Sequence, residues 1–71
     1  MTLLNCKVGE SLTVSALRAE GPLGRRLQIL GMIPGARVTV LHKKRCGAMV
    51  VRVQGARYAI GAMAARGIVG R

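Results

Sequence analysis

The sequence predicts a mainly β fold: a small barrel of about five strands, with one short helix after the first strand and a helical turn before the last. Three observations predict it. Two neighbouring segments alternate apolar and polar residues and match each other as a hairpin, and strong helical spacing is confined to one short stretch. The chain of 71 residues has room for one domain and one modest core. Several half-buried strands at this size hide most of their edges by curling the sheet around its apolar face.

The elements follow in order. Leu12-Thr13-Val14-Ser15-Ala16 alternates apolar and polar side chains, as a half-buried strand does. Gly21-Pro22 ends the extended stretch, and proline suits a first helical turn because its missing N–H has no partner there in any case. Leu23, Leu27 and Leu30 recur at helical spacing, with Arg25, Arg26 and Gln28 on much of the opposite face. Gly31 stands where a left-handed terminator belongs, and Pro34-Gly35 forbids continuation. The helix therefore has about two turns, and its leucine stripe closes one end of the sheet.

Arg37-Val38-Thr39-Val40-Leu41-His42-Lys43 is the clearest strand, and Ala48-Met49-Val50-Val51-Arg52-Val53 is its partner. With Lys44 to Gly47 as a four-residue loop, Val38 faces Val53, Val40 faces Val51 and His42 faces Met49, so the inward sets agree without a bulge. Gln54-Gly55-Ala56 reads as a tight turn and Arg57-Tyr58-Ala59-Ile60 as the next strand. The alanine-rich stretch Gly61 to Gly67 reads as one helical turn, and Ile68-Val69 returns as a last strand beside the first.

Composition narrows the function. The chain is 51% hydrophobic, yet no run approaches the roughly 18 apolar residues of a membrane span. Met1 to Glu10 lacks the charged, apolar and small-residue regions of a signal peptide, so the expected location is cytoplasmic. Cys6 and Cys46 are far apart and read as free, partly buried thiols in a reducing compartment, with a disulfide between them left open but not demanded. Twelve Lys and Arg against two acidic residues give a net charge of +10, which favours an anionic partner: nucleic acid, an acidic protein face or an anionic leaflet. Tyr58 is the one aromatic residue, too few rings for a base-stacking platform.

Catalytic constellations are missing. Glu10 and Glu20 are the two carboxylates and no Asp exists, so any relay through His42 would have to recruit one of them. Gly31-Met32-Ile33-Pro34-Gly35 lacks the Gly-Lys-Ser/Thr ending of a phosphate loop. The expectation is a protein that is not an enzyme. For a metal, His42 and Cys46 flank the hairpin loop, and Cys6 or Met63 adds a soft donor, which would suit weak Fe²⁺ or Zn²⁺ binding. Against that, an inward His42 is more commonly a packed imidazole and Cys46 a loop thiol, so the expectation is no metal and no cofactor.

Binding residues are easier to name. Lys43-Lys44-Arg45 makes a basic loop tip, Arg37 and Arg52 share the outward face of the same hairpin, and Arg25 and Arg26 project from the helix. Basic loop tips are commonly just solvated and discourage edge aggregation. With so little acid to offset them, these residues read here as an electrostatic footprint. Met32 and Ile33 lie in the turn after the helix, where exposed apolar residues beside Arg25 and Arg26 form a docking knob. Leu3, Leu4 and Leu17 stay open between core and surface.

The order of these motifs resembles a known family. Arg26-Leu27-Gln28-Ile29-Leu30-Gly31-Met32-Ile33-Pro34-Gly35 is similar to the R-L-x-x-L-G-[LM]-x-P-G signature of bacterial ferrous iron transport protein A, FeoA. Val8-Gly9-Glu10, Val38 and Val40, and Tyr58-Ala59-Ile60-Gly61 followed by Ala64, Ala65 and Ile68 continue the pattern from about Lys7 to Val69. The resemblance implies an SH3-like barrel that partners the cytosolic GTP-binding part of the FeoB-type ferrous iron transporter, any GTP chemistry belonging to that partner. Relatives often carry a charged residue where this chain has Gly61, and +10 is high for the family. A similar domain closes iron-dependent repressors, so the fold alone does not settle the role. A basic nucleic-acid-binding barrel is the alternative, and a free-standing repressor module lacks a DNA-reading helix. Self-association through an edge strand stays open.

Overall fold

The computed structural model describes residues 1–71. A short 3₁₀ turn at Leu3–Asn5 precedes β1 (Ser11–Leu17), α1 (Gly21–Leu30), β2 (Arg37–Lys43), β3 (Met49–Val53), β4 (Ala56–Ile60), α2 (Ala62–Arg66) and β5 (Ile68–Gly70). Every predicted element is present within a residue or two of its expected ends. Alternation does what period two demands: Leu12 and Val14 of β1, Val38 and Val40 of β2, and Met49, Val51 and Val53 of β3 are all buried on one face. With Leu3, Cys6, Leu27, Met32, Ile60, Ala64, Ala65 and Ile68 they make one continuous core. Each fully buried Val, Leu, Ile or Met contributes about 1.5–3 kcal/mol of burial free energy, and no polar or charged residue shares that core.

The strands form one antiparallel sheet in the order β4-β3-β2-β1-β5. Overall extents of 26 × 22 × 22 Å require the sheet to be strongly curled. It does not close, because the ladder ends at β4 on one side and β5 on the other, with α2 connecting the two ends. The N-terminal segment covers the β5 edge through a Thr2–Val69 bridge and a 2.9 Å bond from the Gly70 amide to the Met1 carbonyl. The outer edge of β4 has no strand beside it.

The end of α1 explains one departure from expectation. Gly31 takes φ +102° and its amide donates to the Gln28 carbonyl, while the Met32 amide donates to the Leu27 carbonyl, each at 3.0 Å. These two bonds are a Schellman termination, which folds the residue after the glycine back against the last turn of the helix. Met32 is accordingly fully buried beside Leu27. The expectation that it is exposed in a surface knob is corrected, whereas Ile33, one residue on, is exposed.

The β2–β3 hairpin holds the expected register at Val38–Val53 and Val40–Val51 and then slips. A bulge between Val40 and His42 pairs His42 with Val50 and Lys43 with Met49. One extra residue on one strand exchanges the faces of everything beyond it. His42 therefore stands exposed on the outward face, correcting the inward position opposite Met49, and Lys43 takes the inward side. At the other end of β3 the Gln54–Gly55 turn has φ of +50° and +78°, the two-residue type I′ geometry whose twist suits a hairpin. Ala56 belongs to β4 and pairs with Val53, so the turn is one residue shorter than expected.

Candidate functional site

Helix α1 turns Leu23 and Leu27 toward the core and leaves Arg25, Arg26, Gln28 and Ile29 exposed. Residues three and four apart share a helix face, so Ile29 sits directly over Arg25 and Arg26. Its side chain is 84% exposed, the most exposed of the large apolar residues. Ile33 follows in the turn beyond Gly31 and is also exposed. Ile29 is thus an exposed apolar residue beside two guanidinium groups on the side of the helix away from the core, and Ile33 is a second exposed apolar residue in the turn that follows. Ile29 went unnamed among the docking candidates, although the signal was present: it falls out of phase with Leu23, Leu27 and Leu30 and shares the phase of the arginines.

The basic loop divides. Lys44, Arg45 and Cys46 are exposed at the β2–β3 tip. Lys43 is not free to join them: its Nζ donates to the Leu4 carbonyl at 2.6 Å and to the Cys6 carbonyl at 3.1 Å, tying β2 to the N-terminal segment. Its role as a docking cation is corrected to that of an internal strap. Gly47 anchors the loop from beneath. It is buried with φ +95°, and a Cβ there would lie 2.8 Å from Ala62 Cβ and 3.0 Å from Leu4 Cδ1. Leu3 is buried, and Leu4 and Leu17 pack against the core.

The two metal candidates are placed on the surface, His42 in the cross-strand row with Val50 and Ala59, Cys46 in the loop. No group of three or more His, Cys, Asp or Glu side chains converges to hold an ion. Cys6 lies in the core. Burial pushes its thiol above the ordinary value, and the nearby Glu10 carboxylate pushes in the same direction while Lys43 opposes them. Met63 is 74% exposed on α2, next to Ala62, which lies against Gly47 of the loop. An apolar groove of about 320 Å³ lies beside His42 and Lys44, floored by Ala48, Val50, Ala59 and Gly61.

The outward sheet face carries more charge than β2 and β3 alone suggested. Arg52 of β3 lies directly opposite Arg57 of β4 and next to Thr39 of β2, whose hydroxyl is 2.8 Å from that of Ser11. No helix of the protein is long and apolar enough to cross a membrane.

Comparison with known proteins agrees with this architecture. The crystal structure of an iron uptake regulatory protein, FeoA, superposes with a TM-score of 0.91 at 27% identity, over 100% of this chain and 95% of that one. The zinc complex of Stenotrophomonas maltophilia FeoA, an SH3 domain protein put forward as a bacterial ferrous iron transport activating factor, gives 0.88 at 28% identity, over 100% and 89%. The solution structure of Chlorobium tepidum FeoA gives 0.87 at 31% identity, over 97% and 67%. A search of curated protein sequences finds no match. The curled five-stranded sheet is thus SH3-like, and the model of the FeoA domain matches residues 1–71: the chain belongs to the FeoA domain family.

Proposed function

We propose that the protein is a non-catalytic cytoplasmic accessory of ferrous iron uptake, docking on the cytosolic GTP-binding part of a FeoB-type membrane transporter. Family membership supports the iron-transport role. The observation that carries the docking reading is Ile29, 84% exposed between Arg25 and Arg26. A small core leaves few large apolar side chains to spare, and one held on a rigid helix, ringed by cations, has the composition of an interface anchor with a charged rim. Arg25, Arg26, Ile29 and Ile33 form the docking face, with Lys44 and Arg45 adding attraction at longer range.

The test is a titration of the purified cytosolic domain of the transporter into this protein. Saturable binding is expected at low salt, weakening as salt rises because exposed charges steer it. Reversing both Arg25 and Arg26 to Glu lowers affinity by about tenfold or more, and Ile29→Ser does the same without altering the salt dependence. A titration without saturation at low salt ends this reading.

A further inference from the structure

We propose that the free edge of β4 is a strand-addition site for an extended, acidic–apolar segment of a partner protein. It does not rest on the transporter reading, although Arg26 of α1 borders one end of the same edge. The two-residue turn at Gln54–Gly55 makes Val53–Ala56 the first hydrogen-bonded pair, so Val51–Tyr58 and Met49–Ile60 are the next. Arg57 and Ala59 occupy the alternate pairs, and their N–H and C=O groups turn away from β3 toward the open edge. Both residues are exposed, and no strand lies beyond them. Such a row of backbone donors and acceptors is a template for one more strand.

Side chains on this edge specify what would add to it. Arg57 faces Arg52 in a non-hydrogen-bonded pair, the closest cross-strand spacing, where like charges repel. The row runs Ser11, Thr39, Arg52, Arg57 without a carboxylate. A Glu or Asp on an added strand, opposite Arg57, completes it. Two residues along, Ala59 stands in the row with Val50 and His42 and borders the 320 Å³ apolar groove. The next outward side chain of the added strand is therefore apolar. A second, smaller cavity, where Ala59 and Gly61 meet Leu23, Leu30 and Arg26 of α1, lies beside the same edge.

Charge selects the occupant. A second copy of this chain brings another +10 and a second Arg57 to the same edge, so self-pairing is opposed. Nucleic acid supplies phosphates but no strand-like alternation of N–H and C=O. The competing explanation is that Arg57 only guards an edge against aggregation, and it predicts no ligand at all.

A short capped peptide alternating glutamate with valine is the probe, titrated into the labelled full chain at low and physiological salt. Amide exchange at Arg57 and Ala59 is expected to slow by about tenfold or more on binding. The same peptide N-methylated at alternate residues keeps its charge but loses about tenfold in affinity, because the edge then has no donors to accept from. Arg57→Glu, which sets an acid opposite Arg52 and keeps the fold, abolishes binding. No binding at low salt overturns the proposal. So does equal binding by the N-methylated peptide or to the Arg57→Glu variant, protection confined to α1, or equal protection by duplex DNA.

Discussion

Lys43 Nζ lies 2.6 Å from the carbonyl oxygen of Leu4 and closes the N-terminal segment over the end of the sheet. The β-bulge after Val40 makes this contact available, because in the unbulged register the ammonium would point outward. Charge-assisted bonds to partly buried acceptors contribute about 1.5–3 kcal/mol. Lys43→Ala should therefore destabilise the fold by about that amount in urea unfolding, while Lys44→Ala and Arg45→Ala change it by less than about 0.5 kcal/mol. If the three variants behave alike, Lys43 is not a strap.

Met32 and Ile33 are neighbours with opposite surroundings, and truncation separates them. Met32 is wholly buried against Leu27 under the helix terminus, so Met32→Ala should cost about 2–5 kcal/mol through lost contacts and a residual cavity. Ile33→Ala, at a site 45% exposed, should cost less than about 1 kcal/mol. The measurement is the unfolding midpoint with an unchanged denaturant slope. A large loss at Ile33 would place it in the core and remove it from the docking face.

The buried loop glycine gives a third prediction. Gly47→Ala places a Cβ against Ala62 and Leu4 at a backbone angle of +95°, which L side chains rarely adopt. Strain and overpacking together predict a loss of about 2–4 kcal/mol. Gly55→Ala, also left-handed but with open space around it, should lose only the strain, about 1–2 kcal/mol. Thermal unfolding of the pair checks the difference, and equal losses would mean that the loop does not pack onto α2.

Strand order, the helix and its stop, and the first half of the hairpin were legible in the sequence because each depends on local signals. Alternation sets Val38, Val40, Val51 and Val53 inward, and Gly31 stops α1. Side chains whose position depends on long-range geometry were not. The bulge after Val40 sets Lys43 against the carbonyls of Leu4 and Cys6, more than thirty residues away, and no period within Arg37 to Lys43 encodes it. That one slip moved both His42 and Lys43 from their expected faces. A position in a turn argues for exposure of Met32, but a Schellman termination buries the residue after its glycine. Arg57 stands opposite Arg52 because the turn is the two residues Gln54–Gly55; a turn that includes Ala56 shifts that register and hides the pair. The gap between β4 and β5 has no local signal at all.

The two cysteines should separate chemically. Cys46 is exposed and Cys6 is buried, so an alkylating reagent should modify Cys46 rapidly and Cys6 only as the protein unfolds. Burial raises the Cys6 thiol above its ordinary value, with Glu10 adding to the effect, so folding favours the protonated form. The sign follows directly: this contribution to stability is fully present below the unfolded thiol value of about 8.5 and is lost as pH rises above it, because the unfolded chain releases the proton first. Unfolding free energy should therefore fall from about pH 8 upward by at most about 1.4 kcal/mol per pH unit. Cys6→Ala should be less stable at pH 7 through its lost contacts, yet flatter across that alkaline range. A slope that survives in Cys6→Ala would assign the alkaline loss to another group, and rapid double alkylation of the folded protein would mean that the segment held by Lys43 opens freely.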